Sequence, residues 1–131
     1  MRKIRVLLAD DHEPILAKVR MVLGEDFDIV GAVCNGRDAV TEVRRLDPDI
    51  LIIDLAMPVL NGLEAASQLL SRKVRTKIVF LTVHEDQDFI EAAFIAGASG
   101  YVTKSHLTTD LVSAIHEVLR GGTYVSRFIP H

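Results

Sequence analysis

The chain has 131 residues, which suits one domain with a real core and leaves no room for two ordinary ones. With 49% apolar and 25% charged residues it has a soluble globular balance, not a disordered one. A net charge of −3 supplies no general attraction to nucleic acid or to anionic lipid. Arg2-Lys3 and the apolar run Ile4–Ala9 imitate the start of a signal peptide. Asp10, Asp11, His12 and Glu13 end that run, and no small-residue cleavage site follows, so the run reads as a strand in a chain that is not exported. A helix follows over 14–23, with Pro14 acceptable in its first turn. The second strand spans 28–34 and ends on the single cysteine, Cys34. That residue cannot form an internal disulfide, which points to the cytoplasm, and within Ile29-Val30-Gly31-Ala32-Val33-Cys34 it reads as a buried structural thiol.

A helix over 37–45 leads to a third strand over 50–54, where Ile50-Leu51-Ile52-Ile53 shows no alternation, as expected for a central strand covered on both faces. A helix over 62–71, a strand over 77–82, a helix over 87–96 and a strand over 100–103 come next. The last helix spans 108–120; Leu111, Ala114, Ile115, Val118 and Leu119 form its core stripe, and Gly121-Gly122 stops it. No apolar stretch reaches the length of a membrane span.

Five strand–helix units make an α/β domain: a doubly wound five-stranded parallel sheet, flavodoxin-like, with strand order 2-1-3-4-5 and helices on both faces. In such folds ligands bind beyond the carboxyl ends of the strands. The first strand runs into Asp10 and Asp11, the third ends at Asp54, the fourth at Thr82, and the fifth just before Lys104. Each alone has a plain explanation as a helix cap, a loop acceptor, a strand threonine or a surface lysine. Together, at one rim, they make a coherent site.

Three neighbouring carboxylates repel one another unless a cation sits among them, and a hard divalent ion with oxygen ligands, Mg²⁺, fits Asp10, Asp11 and Asp54. Asp54 is then positioned to attack phosphorus and form an aspartyl phosphate, with the Lys104 ammonium offsetting charge on the transferred group. Thr82 can donate to a phosphoryl oxygen, a bond that exists only in the modified state and can therefore bias a conformational equilibrium.

Leu8-Ala9-Asp10-Asp11-His12, Ile53-Asp54-Leu55-Ala56-Met57-Pro58 with Gly62, Leu81-Thr82, and the stretch from Ala96 through Gly100-Tyr101-Val102-Thr103 to Lys104 resemble the response-regulator receiver family of two-component signalling. The resemblance covers roughly residues 3–121. It implies Asp10 and Asp11 as metal acids, Asp54 as phosphoacceptor, the Ala56 main-chain carbonyl as a further metal ligand, Thr82 and Tyr101 as switch residues, and Lys104 as the phosphate-contacting lysine. It also implies Mg²⁺ as cofactor and a sensor histidine kinase as partner, received around Pro14, Ile15 and Leu16. The closing Arg120-Gly121-Gly122-Thr123-Tyr124-Val125-Ser126 is similar to the LuxR-type transcription-factor branch. The expected layout is a receiver over 1–122 and, over 123–131, the start of a linker to an output domain absent from this chain. DNA contact is expected only through that output domain, a C-terminal helix-turn-helix.

Three departures from the family pattern stand out. Ser105 follows Lys104 where many receivers have proline, so a trans peptide is expected, since a cis bond at a non-proline position costs about 2.5–4 kcal/mol. Val83 is bulkier than the small residue usual after the threonine and would narrow the approach of a phosphodonor. Ala56, two residues after Asp54, has no side-chain acid. Haloacid-dehalogenase-type phosphatases place a second aspartate there to speed turnover, so alanine argues for a persistent phosphoaspartate and a switch, not an enzyme. His84 reads as an exposed histidine, and Arg72, Lys73, Arg75 and Lys77 as a solvated helix end. A flavin carrier is disfavoured because Asp10 and Asp11 would repel the flavin phosphate. The fourth helix, with Phe89, Ile90, Ala92, Ala93, Phe94, Ile95 and Ala96, is apolar round more of its girth than a surface helix needs. Simple burial would account for this, and the functional alternative is a partner or homodimer face formed by helix 4, strand 5 and helix 5.

Overall fold

The computed structural model describes residues 2–126. Strands and helices alternate along the chain as β1 (Ile4–Ala9), α1 (Glu13–Leu23), β2 (Phe27–Val33), α2 (Gly36–Leu46), β3 (Ile50–Ile53), α3 (Gly62–Ser71), β4 (Lys77–Thr82), α4 (Gln87–Ile95), β5 (Gly100–Thr103), α5 (Leu107–Leu119) and β6 (Tyr124–Val125). The sheet is parallel throughout, in the order β2-β1-β3-β4-β5-β6. The expected order of the first five strands and the parallel pairing are both present, and the elements differ from expectation by at most one residue at either end.

Residues alternate between two apolar layers because successive strand side chains point to opposite faces. Leu7, Leu51, Ile53 and Phe80 face one layer, roofed by Ala39 and Val43 of α2, Ala65 and Leu69 of α3, and Ile90 and Ala93 of α4. Val6, Leu8, Ile52 and Leu81 face the other, covered by Leu16 and Val19 of α1 and by Leu111, Ile115 and Val118 of α5. β3 is buried at every position, which explains its unbroken apolar sequence. Helix starts are set locally: Asn35 accepts from the Asp38 amide, and Asn61 with Glu64 forms a reciprocal capping box.

The structure adds a detail after Gly122 and corrects the expectation for Cys34. Tyr124–Val125 forms a sixth strand alongside β5. Ser126 continues the attachment, its amide donating to the Tyr101 carbonyl and its Oγ accepting from the Thr103 amide. Residues 127–131 of the expected linker lie outside the described residues. Cys34 is exposed. It follows β2, an edge strand fully buried only at Phe27, so an apolar run there does not guarantee burial.

Arg75, expected to belong to a solvated helix end, is half-exposed and also makes ion pairs. Its guanidinium holds Asp47 at 2.9 Å and the buried Asp49 at 3.1 Å. Asp49 also takes Arg2 and the Arg5 amide. Burial alone would raise the Asp49 pKa, but the Arg5 amide and the Arg2 and Arg75 guanidinium groups outweigh it and hold the carboxyl below the usual value. This network closes the amino-terminal end of the sheet, opposite the rim that carries the polar site. No helix among the described residues is long and apolar enough to cross a membrane.

Candidate functional site

The carboxyl ends of β1, β3, β4 and β5 lie next to one another because β1 pairs with β3, β3 with β4, and β4 with β5. Asp10, Asp54, Thr82 and Lys104 stand at or just beyond those ends. Asp54 is held at both sides of its peptide neighbourhood: its amide donates to the Ala9 carbonyl at 3.0 Å, and the Gly62 amide donates to the Leu55 carbonyl at 2.9 Å. Asp54 is only 3% exposed and Asp10 only 4%. Asp11 stands further out, half-open to solvent.

Lys104 reaches from the end of β5 into the acidic group. Its Nζ lies 3.0 Å from Asp54 Oδ2 and 3.0 Å from Asp10 Oδ2. Only the Asp54 contact has hydrogen-bond geometry. Asp10 Oδ2 is buried and receives no hydrogen bond. Burial alone would lower the Lys104 pKa, but the adjoining carboxylates of Asp54 and Asp10 more than offset it, so the ammonium is held above its ordinary value.

Asp10, Asp11, His12 and Asp54 each bring one ligand atom within 4.8 Å of the others. Three carboxylates against one ammonium leave surplus negative charge, and the buried Asp10 Oδ2 has the Lys104 ammonium beside it but no hydrogen bond. Hard oxygen donors with an unsatisfied buried member fit a divalent cation such as Mg²⁺. Ala56 is exposed in the loop after Asp54, its amide pointing back to Asp54 Oδ1 at 3.4 Å.

Thr82 is fully buried, and its Oγ1 accepts from the His84 amide at 3.4 Å. Tyr101 is also fully buried, tilted against Phe80, and its hydroxyl donates to the His84 carbonyl at 2.7 Å. Burial first, then the charges of Asp86, Asp54 and Glu85, pushes the Tyr101 phenol up to about 12. The structure thus brings Asp10, Asp11, Asp54 and Lys104 into one pocket, with Thr82 and Tyr101 linked to each other through the His84 backbone. His84 is more than an exposed histidine, since its ring stacks on Phe89 with centroids 4.4 Å apart. Lys104-Ser105 is trans, as no described peptide bond is cis. The residues after Lys104 form a 3-10 turn closed by Thr103 Oγ1 and His106 Nδ1 at 2.8 Å. Of the surface expected to receive a kinase, Pro14 is exposed and Ile15 partly so, while Leu16 belongs to the core.

Sequence reasoning assigned no role to three features around Asp54. His12 joins the acidic group, with Nδ1 3.3 Å from Asp10 Oδ1 and 3.3 Å from Asp11 Oδ1; its position in Asp10-Asp11-His12 was the available signal. Gly36 and Gly62 clamp the β3–α3 loop, because a Cβ on Gly36 would collide with the Leu60 carbonyl and one on Gly62 with the Asp54 carbonyl. Val59, in that loop, has a φ of 71° beneath a 2.8 Å bond from the Leu60 amide to the Pro58 carbonyl. That tight turn is costly for a β-branched residue, and no sequence rule predicts it.

On the strand order already described, residues 6–116 match the response regulator receiver domain family. The chain is 31% identical over 131 residues to the transcriptional regulatory protein DegU of Brevibacillus brevis, covering 98% of this chain and 56% of that protein. It is 36% identical over 125 residues to the response regulator UvrY of Escherichia coli (strain K12), covering 94% of this chain and 57% of that protein. The chain therefore spans a little over half the length of these curated relatives. A LuxR-family two-component response regulator from Aurantimonas sp. SI85-9A1 superposes with a TM-score of 0.88 at 32% identity, covering 94% of this chain and 89% of that one. The signal receiver domain of the putative response regulator NarL from Mycobacterium tuberculosis gives a TM-score of 0.87 at 25% identity, covering 92% and 99%. With the fold, the acidic pocket and these likenesses in agreement, the chain belongs to the response regulator receiver domain family, in its LuxR-type branch.

Proposed function

We propose that Asp54 accepts a phosphoryl group from the phosphohistidine of a sensor histidine kinase, and that the resulting phosphoaspartate switches the domain between two conformations. The observation that carries this reading is the placement of Lys104 Nζ 3.0 Å from both Asp54 and Asp10 in a pocket otherwise acidic. An Asp54 carboxylate oxygen attacks phosphorus, the phosphorus–nitrogen bond to the kinase breaks, and the imidazole leaves with the bonding pair. Lys104 then moves from a carboxylate to a phosphoryl oxygen, stabilising charge where it accumulates. Asp10, Asp11, Asp54 and the Ala56 carbonyl are the groups that would hold Mg²⁺, which when bound neutralises phosphoryl charge. Ala56 can neither give nor take a proton, so the phosphoaspartate persists and the domain signals without turning over as an enzyme.

Thr82 is the residue that reads the modification. Its Oγ1 accepts from the His84 amide, and a phosphoryl group on Asp54 would offer a charged acceptor for the hydroxyl proton, drawing the side chain toward Asp54. Moving Thr82 moves His84, and with it the carbonyl that Tyr101 holds. The shift passes to α4, which His84 touches through Phe89.

The readout surface is the α4 side of the sheet. An open groove of about 530 Å³ runs between α4 and β6, lined by Ile90, Phe94, Ile95 and Val125, with Ile95 80% exposed. Because β6 occupies the β5 edge, the dimer face that we propose is formed by α4, β6 and α5, with β5 behind it. A self-association constant identical with and without a phosphate mimic would remove this part of the reading. In the longer protein implied by the relatives' lengths, the output is transcription control through a C-terminal DNA-binding domain. Its setting is the cytoplasm, where an exposed, unpaired Cys34 stays reduced.

Intact mass after acetyl phosphate treatment with Mg²⁺ tests the central step. One phosphoryl addition is expected for the natural chain and none for Asp54→Ala; equal gains in both would refute it.

A further inference from the structure

We propose that His106 is a positioning residue that, with Thr103 and Ser105, clasps Lys104 into the pocket for phosphoryl transfer, a role that rests on reading Asp54 as the phosphoacceptor. Thr103 Oγ1 lies 2.8 Å from His106 Nδ1 and 3.2 Å from Ser105 Oγ, and Ser105 Oγ lies 3.2 Å from His106 Nδ1. The three groups close a triangle across the backbone of Lys104. A hydroxyl both donates and accepts, so the triangle is satisfied with either neutral tautomer of the ring. Its base is fixed, because Thr103 is 1% exposed and its amide donates to Ser126 Oγ at 3.2 Å.

Lys104 needs such a hold. Its side chain is long and flexible, and its Nζ is placed by Asp54 Oδ2 and Asp10 Oδ2, each at 3.0 Å. Forming the phosphoaspartate alters one of those anchors just as the ammonium must follow the transferred oxygens. A fixed main chain keeps the ammonium within reach through that exchange, so little order has to be created in the transition state. Residue 105 is serine and the peptide before it is trans, so no proline ring sets the turn that aims Lys104. His106 occupies the N-cap position of α5 but makes no side-chain cap hydrogen bond. Its ring turns back to Thr103 instead. Satisfying the Thr103 hydroxyl does not require the ring, since Ser105 Oγ is already within 3.2 Å.

Acetylation of Lys104 by a soluble active ester, read by peptide mass against the exposed Lys18, reports the hold directly in the whole chain. Reactivity is expected to rise about fivefold in His106→Ala and in Thr103→Val, as the ammonium leaves its carboxylates more often. In His106→Asn, whose side-chain amide can occupy the place of Nδ1, it should stay within about twofold of the natural chain. Labelling by acetyl phosphate with Mg²⁺, followed by intact mass, should slow about tenfold in His106→Ala and recover in His106→Asn. Thr103→Val keeps the shape of the threonine and carries the comparison if His106→Ala does not fold. Unchanged Lys104 reactivity in folded Thr103→Val, or His106→Asn behaving as His106→Ala does, overturns the clasp. If the natural chain takes up no phosphoryl group, the phosphoacceptor reading fails, whereas Lys104 reactivity still decides the clasp.

Discussion

The Tyr101 hydroxyl donates to the main-chain carbonyl of His84 across 2.7 Å, tying the middle of β5 to the loop that leaves β4. Removing that hydroxyl in Tyr101→Phe leaves the ring in its buried place and strips the carbonyl of its donor. We expect a loss of about 1 kcal/mol in urea unfolding, and faster amide exchange in the loop after Thr82. Tyr101→Ala, which also empties the space against Phe80, should cost about 3–5 kcal/mol.

The same phenol makes the domain sensitive to alkali. Unfolded, Tyr101 ionises near 10.0; folded, it is pushed up to about 12, first by burial and then by Asp86, Asp54 and Glu85. Between those values the unfolded chain has released a proton that the folded chain keeps, so stability is whole below pH 10 and declines as pH rises, by about 2–3 kcal/mol in all. Lys104 acts in the same direction. Its raised pKa favours the folded state fully below 10.5, and that contribution is lost as pH climbs through the folded value. Urea midpoints followed from neutral pH upward should fall steeply, and Tyr101→Phe should flatten the early part of that fall.

Acid acts at the other end of the sheet. Asp49 is held below its ordinary value of 3.8, since its bonds to Arg5, Arg2 and Arg75 outweigh the opposing effect of burial. Below that value the unfolded chain takes up a proton that folded Asp49 resists, so stability is present above 3.8 and is lost as pH falls through the depressed value. Asp49→Asn should cost about 1.5–3 kcal/mol at neutral pH and show a shallower decline on acidification, measured by thermal unfolding across the acid range.

Two glycines should prove intolerant for separate reasons. Gly36→Ala drives a methyl group into the Leu60 carbonyl, and Gly62→Ala drives one into the Asp54 carbonyl. Each should lose about 1–3 kcal/mol of stability. Only Gly62→Ala displaces the backbone of Asp54 itself, so acetyl phosphate labelling should slow more in Gly62→Ala than in Gly36→Ala under conditions where both are folded.

Most of the sheet was legible because β1, β3, β4 and β5 are apolar runs with a polar residue at their carboxyl ends, and strand order converts those scattered residues into one rim. The acidic pocket was legible for the same reason: Asp10, Asp54 and Lys104 needed only the parallel sheet to meet. Partnerships between loops left no such trace. Arg75 finds Asp47 28 residues away, which no local pattern encodes. Tyr124–Val125 is too short to show a period, and its strand character comes from pairing with β5. Cys34 was misjudged because hydrophobic sequence reports affinity for the interior, whereas exposure there was decided by β2 lying at the sheet's edge.

The short β6 has a consequence for the sheet's company. By laying Tyr124 and Val125 against β5, and Ser126 against Tyr101 and Thr103, the chain caps the one border from which the switch strand could recruit foreign backbone. A chain ended at Gly122 would bare that row of amides and carbonyls. Edge-to-edge pairing between molecules would then compete with signalling.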